Sequence, residues 1–492
     1  MGENKFNNGQ QLVKKGTAVM SHAFRRKYAR LTAALCILAG FSLPAISDPL
    51  SLEQVIKEVC TKSDSVKSMK QTIAKSQQMV REKWANALPT VSASISAARA
   101  YGLGVGMQSG SGGVHVPDSL LRAPVTYGAM SGMFSSLTNP DDASLYGASI
   151  SIQQPIYTFG KVGSAVQVAN DFLKATQSNY GRNMQQLQLL ALDAYYGVFL
   201  TELNLDIARR SLARKIELNE FLSRNFKLGS GSKAQVLATL ADVQNQKAQI
   251  ITVAELASAS KMMLNSLMGR SLSDSVELDT NSSMKMSLLS IKLPEASSAV
   301  ESAQKTRGDL KSIGFLTQAN TGGAQIFNAM YLPTIGAQGS FGTNGNKAKD
   351  MVDWDKRNWS VGIGLKWMIF DGFANNAIAS QYRADAEKLS IASQAIAKAI
   401  EIEIQTDLAE CASADSNIAG SRITFDASKE SYDLTNENFK QGSGQFVDLQ
   451  LAEERLRQAE MGAVNAQYRQ MRSRAALLVA MGQDIVKLEG TK

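Results

Sequence analysis

Apolar and polar residues alternate with a period of two in four short stretches of the chain. This is the period of a β-strand, whose successive side chains point to opposite faces of a sheet. In the last stretch the apolar positions include Trp359 and Trp367, while Ser, Gly and Lys occupy most positions between them. We therefore predict four strands with one apolar and one small, polar face, over residues 88–100, 147–157, 332–342 and 358–370.

The period lengthens to that of an α-helix after each pair of strands. Apolar residues recur at spacings of three and four over residues 161–228 and 372–441, and neither range contains proline. Each range predicts a helix about 100 Å long at ~1.5 Å per residue, and shorter helices follow over 232–269 and 445–481. Residues 50–87, before the first strand, are also helix-like, with Ser51 as the expected cap. Helices this long need partners along their length, as in a coiled coil.

The pattern occurs twice. Phe226-Lys227-Leu228-Gly229-Ser230-Gly231 recurs as Phe439-Lys440-Gln441-Gly442-Ser443-Gly444, at an offset of 439 − 226 = 213 residues. Leu88-Pro89-Thr90 matches Leu332-Pro333-Thr334 at an offset of 332 − 88 = 244 residues. A period this long indicates a tandem duplication of a domain rather than a solenoid. We divide the chain into a first repeat, a connecting segment, a second repeat and a tail, over residues 48–269, 270–293, 294–482 and 483–492.

Residues 1–47 have the features of an N-terminal extension and a secretory signal peptide. Basic residues, among them Arg25, Arg26 and Arg30, precede an apolar run from Leu31 to Ala45. A membrane anchor is the alternative, for which a run of fifteen residues is short. This segment carries seven basic residues and one acidic one, so the net charge of +8 falls to 8 − 6 = +2 for the remainder. The high pI therefore gives no support to a nucleic-acid partner, and Met20 is an alternative start.

The remaining sequence offers little chemistry. It contains no Walker, His-Glu-x-x-His, Cys-x-x-Cys or Gly-x-Ser-x-Gly pattern, and His115 is the single histidine after the signal segment. We expect no enzyme activity, no cofactor and no metal site. Cys60 and Cys411 are not at matching repeat positions, so buried free thiols are favoured over a disulfide. Residues 101–146 form a long loop rich in Gly, Ser and Met, whose role the pattern does not indicate.

The strand pattern predicts a transmembrane barrel completed by several chains. Trp359 and Trp367 are eight residues apart, about 26 Å at ~3.3 Å per residue, which matches the apolar band between the aromatic girdles of such a barrel. Four strands cannot close a barrel, and open sheet edges are not tolerated in lipid. Three chains would supply twelve strands, and their helices would continue the barrel as a cylinder. The alternatives are a membrane-anchored trimeric coiled-coil surface protein and a soluble periplasmic helical scaffold.

Several short motifs resemble those of the TolC-type outer-membrane efflux protein family. They include Gln154-Pro155-Ile156-Tyr157, Ile369-Phe370-Asp371-Gly372, Val447-Asp448-Leu449 and Ala480-Met481-Gly482, in this order within residues 48–485. The resemblance implies a homotrimer of mixed fold class, with a twelve-stranded β-barrel in the outer membrane of a Gram-negative bacterium. Its long antiparallel helices would form a coiled-coil barrel, the tunnel in the periplasm.

The same resemblance implies the exit duct of a tripartite efflux or type I secretion system. Its partners would be outer-membrane lipid, a periplasmic adaptor protein and an inner-membrane pump or ABC exporter. The cargo stays open, since the pump selects it.

The resemblance also assigns residues to a periplasmic entrance at the end of the rod that bears the turns. Asp448 matches an acidic position there, and a trimer would hold a ring of three carboxylates that attracts cations. The alternative is an Asp placed near a helix N-terminus by the helix dipole. The second acidic position of the family is Leu451 in this chain. Phe439, with its repeat counterpart Phe226, matches an aromatic position of the closed entrance, and core packing is the alternative.

The two turns themselves are the expected adaptor contacts. Small residues let another backbone approach closely, although tight turns between helices need glycine in any case. The residues concerned are Gly229, Ser230, Gly231, Gly442, Ser443 and Gly444.

Overall fold

The structure is a computed structural model that describes residues 49–100, 143–279, 288 and 292–486. The signal segment, residues 101–142 of the long loop, most of residues 280–291 and the last six residues lie outside the described part. The helices are α1 (Leu52–Lys62), α2 (Asp64–Ala85), α3 (Lys161–Lys227), α4 (Lys233–Met268), α5 (Ala296–Thr306), α6 (Gly308–Ala329), α7 (Ala374–Lys440) and α8 (Phe446–Ala480). The strands are β1 (Thr90–Ala100), β2 (Ala143–Tyr157), β3 (Thr334–Gly345) and β4 (Arg357–Lys366).

In the described residues, both halves have the same order of α-helices and strands: two short helices, two strands, a long helix and a return helix. This order agrees with an internal duplication. The long helices α3 and α7 each have 67 residues and are therefore about 100 Å long. Among the described helices, none has a stretch that is both long and apolar enough to cross a membrane.

The helix-like stretch 50–87 is two helices rather than one. Ser51 caps α1 as expected, in a capping box with Gln54. Ser63 then interrupts the helix with an extended backbone, φ −59° and ψ 148°, and its hydroxyl accepts a hydrogen bond from the Val66 N–H. Because Ser competes for backbone donors, a serine followed by Asp64 starts a new helix as readily as it continues an old one.

The predicted end of the last strand is wrong. β4 ends at Lys366, so Trp367 and the residues up to Phe370 lie beyond the strand. The reason lies in its neighbour: Lys366 pairs with Thr334, the first residue of β3, and the residue before that is Pro333. Proline has no N–H to donate, so the ladder stops there. The alternation of residues 367–370 could not indicate where the strand ends, because the end depends on the neighbouring strand.

The four strands form one antiparallel sheet in the order β1-β2-β3-β4. The hairpin of each repeat is joined to the other between β2 and β3. The register places four serines in one row across the whole sheet, Ser92, Ser151, Ser340 and Ser360. Among the described strands, β1 and β4 are the edges of the sheet.

The helices pack into a layer that runs away from the sheet. α3 packs against α4 and α8, and α8 packs against α7, so the order across the layer is α4, α3, α8, α7. In the half nearer the sheet, α6 lies against both α3 and α7, and α2 lies against α3. The main core is near the middle of the rod, where α1 contributes Leu52 and Ile56, α3 contributes Leu192, and α4 contributes Leu264.

Cys60 and Cys411 are both buried free thiols, as favoured from the sequence. Cys60 belongs to the core around α1, whereas Cys411 packs with Ile404 and Leu477 in a smaller cluster. Burial raises the pKa of the Cys60 thiol to about 12, so this side chain stays protonated and acts as a small apolar residue.

Candidate functional site

One face of the sheet is apolar and exposed. Ile95 of β1 is 80% exposed, and Val361 and Ile363 of β4 are 78% and 75% exposed. The register continues this face across β2 and β3, where Ile150 pairs with Phe341. A continuous apolar face on a sheet marks a surface that contacts lipid or protein.

The opposite face carries serine, glycine and glutamine. Hydroxyls pair across neighbouring strands: Ser92 with Ser151 at 2.8 Å, and Ser340 with Ser360 at 2.8 Å. These bonds satisfy the hydroxyls without closing the face to water. An apolar outer face and a polar inner face are what a barrel wall between lipid and a water-filled lumen requires.

The two predicted girdle tryptophans are in different environments. Trp359 lies within β4 on the apolar face and pairs in register with Phe341. Trp367 lies one residue beyond β4, and its indole N–H donates a hydrogen bond of 2.9 Å to the Tyr331 carbonyl. Both rings are exposed, 73% and 59%. Their role as an aromatic girdle stays a prediction.

The two turns at the far end of the rod have the same geometry. Gly229 and Gly442 are both left-handed, with φ 82° and 81°. In the first turn the Ser230 N–H donates to the Asn225 carbonyl at 3.0 Å, and the second turn repeats this bond at 3.0 Å, 213 positions later. This is the Schellman arrangement, which satisfies the last carbonyls of a helix.

Gly231 and Gly444 are needed for a different reason. A Cβ on Gly231 would lie 2.6 Å from the backbone nitrogen of Phe226, and one on Gly444 would lie 2.8 Å from that of Phe439. The chain folds back against its own helix at these points. The glycines are therefore explained by the turns themselves, and adaptor contact is an additional prediction.

Asp448 lies in the first turn of α8 and is exposed. The N-cap residue Gln445 makes no side-chain capping bond. The Asp448 carboxylate therefore stabilises this helix start through its interaction with the positive end of the helix dipole. Within the described part of the chain, no cation pairs with Asp448. Leu451, one turn further along, is 48% exposed. A single chain is therefore compatible with both interpretations of Asp448, the ring and the helix end.

Phe439 is brought together with residues that the repeat does not indicate. Its ring lies 6.0 Å from that of Phe221 in α3 and 6.2 Å from that of Phe446 in α8. Phe226, its counterpart in the first repeat, is 42% exposed. Phe439 thus packs between helices of both repeats, next to the turn.

A series of charged pairs continues from this aromatic cluster and joins α3 to the second repeat. Arg214 pairs with Glu453 at 3.2 Å, and the Ser211 hydroxyl donates to the same carboxylate at 2.6 Å. Arg210 pairs with Glu460 at 3.1 Å. Both glutamates are buried, and buried charges persist only when they are paired. These pairs therefore define how the two helical hairpins fit together.

Sequence reasoning missed this cluster, although a helical spacing was present. Arg210, Arg214 and Phe221 recur at four and seven residues along α3, and Glu453 and Glu460 recur at seven along α8. Such spacing places each set on one helix face. It does not say which helix lies opposite.

The comparisons with known proteins agree with this architecture. A family model described as "Outer membrane efflux protein" matches residues 55–270 and 299–483. The comparison with curated protein sequences returned no match. Solved structures of outer-membrane channels share the fold, with a TolC-like helical tunnel and a β-barrel.

Three of these structures illustrate the likeness. A membrane protein from Pseudomonas aeruginosa has a TM-score of 0.70 and 17% identity over 88% of this chain and 92% of its own. The outer membrane protein VceC from Vibrio cholerae has a TM-score of 0.68 and 16% identity over 88% and 97%. The MtrE outer membrane channel of Neisseria gonorrhoeae, in an open state, has a TM-score of 0.66 and 19% identity over 88% and 89%.

The class defined by this fold is therefore the outer-membrane channel. Because the family model covers most of both repeats, the chain belongs to the outer membrane efflux protein family. It is a protein of the outer membrane, and its family is one of transport proteins rather than enzymes.

Proposed function

We propose that three copies of this chain assemble into a closed channel that is the exit duct of a tripartite efflux system. The observation that carries the proposal is the sheet: four strands, with an exposed apolar face, a hydroxyl-lined face and two edge strands. In lipid every backbone N–H and C=O needs a partner, so β4 of one copy must pair with β1 of the next. Three copies supply twelve strands, an even number within the known range.

The helical layer supports the same assembly. Its two edge helices are α4 and α7, and both carry exposed apolar side chains. On α4, Ile251 is 63% and Met263 64% exposed; on α7, Ile402 is 66% and Ile423 69% exposed. Apolar side chains along the edges of a long helical layer favour packing of α4 against α7 of a second copy. Closing the layer in this way produces a tunnel continuous with the barrel.

The proposed entrance is the end that bears the turns. Asp448 would contribute to a ring of three carboxylates, with Phe439 and Phe226 near the constriction. The turns at Gly229 and Gly442, with the small residues that follow each, would receive a periplasmic adaptor. The chain itself has no energy-coupling motif, so an inner-membrane pump would drive transport. An ABC exporter in that place would make the same duct part of a type I secretion system.

The assembly can be tested on the purified full-length protein. We expect a detergent-requiring trimer that resists SDS until heated and conducts ions in planar lipid bilayers. Ile423→Glu places a charge on the edge of α7 and should abolish the trimer, whereas Ile423→Val is the matched control and should preserve it. A wild-type protein that is a water-soluble monomer without ion current would refute the proposal.

A further inference from the structure

The end of the sheet nearest the helices carries two lysines, one from each repeat. Lys366 is the last residue of β4 and lies on the same face as Ser360, because the two are an even number of residues apart. Its partner in the ladder is Thr334 of β3, on that same face. Lys366 therefore belongs to the hydroxyl-lined face of the sheet and not to the apolar one.

Lys161 reaches the same place from the other repeat. It is the first residue of α3, and its Nζ donates to the Thr334 hydroxyl at 2.7 Å and to the Leu332 carbonyl at 2.9 Å. Two lysines that are 366 − 161 = 205 residues apart in sequence thus flank one threonine, Lys366 as its partner in the ladder and Lys161 through its ammonium group. Burial lowers the pKa of Lys161, and the positive charge of Lys366 lowers it further.

Neither ammonium group has an ion-pair partner among the described residues. Within residues 49–100, 143–279 and 292–486, ion pairs link many lysines to carboxylates, but none involves Lys161 or Lys366. Lys161 is held in position by two neutral oxygen atoms instead. Two like charges close enough to act on each other raise the energy of the empty site and favour an anion that binds both.

We propose that Lys161 and Lys366 form a site for anions in the lumen, at the junction between the barrel and the helical tunnel. The proposal rests on the trimer proposed above, in which three copies place six ammonium groups in one ring. The ligand class is an anionic group with oxygen acceptors, such as the phosphate, sulfate or carboxylate of a passing solute. Rings of Lys and Arg serve this purpose in anion pores.

The dimensions of the barrel make such a ring effective. Twelve strands ~4.8 Å apart, tilted by ~40°, give a wall radius of about 12 Å. Lysine side chains occupy part of this radius, and the Debye length is about 8 Å at physiological ionic strength. The field of the ring therefore extends across the lumen, and an anion does not need to touch the wall to be attracted.

Lys366→Gln and the double variant Lys161→Gln/Lys366→Gln test the site in planar bilayers. The chloride-to-potassium permeability ratio, measured from the reversal potential in a KCl gradient, should fall by about threefold in the double variant. Block by tripolyphosphate should weaken by about tenfold. Glutamine keeps a donor for the Leu332 carbonyl, so the fold has a substitute for the lost bond. Lys366 has no side-chain partner in the described region, so Lys366→Gln removes no hydrogen bond that the fold could need. This single variant should show a smaller fall in the permeability ratio and a smaller loss of block.

Arg357→Gln is the matched control. Arg357 is the first residue of β4, carries the same charge, and lies on the opposite face because 366 − 357 is odd. This variant should leave the permeability ratio and the block unchanged. Equal ratios and equal block in all the variants and the wild type, with conductance intact, would overturn the anion site alone. A wild-type protein without ion current would overturn the proposed channel, and the site with it.

Discussion

Lys440, the last residue of α7, forms an ion pair of 2.8 Å with Glu217 of α3. This pair links the turn of the second repeat to the long helix of the first. It lies beside the aromatic cluster of Phe221 and Phe439, and it is nearer to the turn than the buried Arg214–Glu453 pair. Contacts between the two repeats thus hold the end of the rod that bears the turns. The ion pair at the turn is exposed, and the pair further along α3 is buried.

The buried pair should matter more than the exposed one. Among the described residues, Arg214→Met leaves Glu453 with the Ser211 hydroxyl as its remaining partner, and we expect local destabilisation of about 2–3 kcal/mol. Lys440→Met removes a pair whose side chains are 44% and 63% exposed, and it should cost less than ~1 kcal/mol. Hydrogen exchange of the backbone amides at the start of α8 measures the loss of stability in each variant. Equal protection in the two variants would show that the buried pair does not hold the helices.

The turn glycines should respond differently to alanine. Gly231→Ala brings a Cβ against backbone atoms, so the turn must open. Gly229→Ala strains a left-handed residue and should cost about 1 kcal/mol. Gly163→Ala in α3 is the control, because its Cβ would meet nothing within 4 Å and alanine favours a helix. Limited proteolysis at the turn should be fastest for Gly231→Ala, and a rate equal to that of Gly163→Ala would contradict this account.

The two faces of β4 should tolerate charge differently. Val361→Arg places a guanidinium on the apolar face, where lipid exposure would cost about 2–4 kcal/mol near the middle of the bilayer. Gly362→Arg, the neighbouring residue, points to the hydroxyl-lined face, and its Cβ would meet nothing within 4 Å. We expect the first variant to lose trimers in the outer membrane and the second to assemble with reduced conductance. The reverse order would show that the faces are assigned wrongly.

The proposed carboxylate ring predicts cation block at the entrance. Asp448→Asn should weaken the block of ion current by Mg²⁺ added on the side of the helical entrance, because the ring loses its negative charge. Glu437→Asn changes the same charge on exposed α7 surface and serves as the control. An unchanged block in Asp448→Asn would leave Asp448 as a residue that stabilises the start of its helix.

The raised pKa of Asp407 should make the folded protein less stable as the pH rises. Burial, together with the negative charge of Glu403, raises its pKa from 3.8 to about 6. The folded state then binds a proton more tightly than the unfolded state, so stability falls as pH rises from about 4 to 6. Asp407→Asn should therefore raise stability at pH 7.5 by roughly 1–2 kcal/mol, after allowance for partial solvent exposure, and by much less at pH 4.

The measurement is the temperature at which the trimer dissociates, as a function of pH. Asp415→Asn is the control with the opposite sign, because Asp415 pairs with Arg474 at 3.0 Å and its loss should destabilise the protein at pH 7.5. A parallel pH dependence for the wild type and Asp407→Asn would exclude Asp407 as its source.

The sequence alone was enough for the local elements and their duplication. The alternation around Val361 marks a two-faced strand, the spacing along α3 marks a long helix, and Ser51 marks a helix start, because each depends on backbone geometry within a few residues. The repeated Phe226 and Phe439 segments locate two equivalent turns. These patterns were sufficient for the fold class and for the family.

The tertiary structure decided which residues from distant parts of the sequence lie next to each other. The end of β4 depends on Pro333, just before the neighbouring strand. The placement of Lys161 and Lys366 around Thr334 depends on the pairing of the two hairpins, and the contact of Phe439 with Phe221 depends on how α3 and α7 are aligned along the rod. Each of these joins residues that are distant in sequence. Their alignment results from the packing of whole hairpins, to which every residue along the interface contributes, so no local period encodes it.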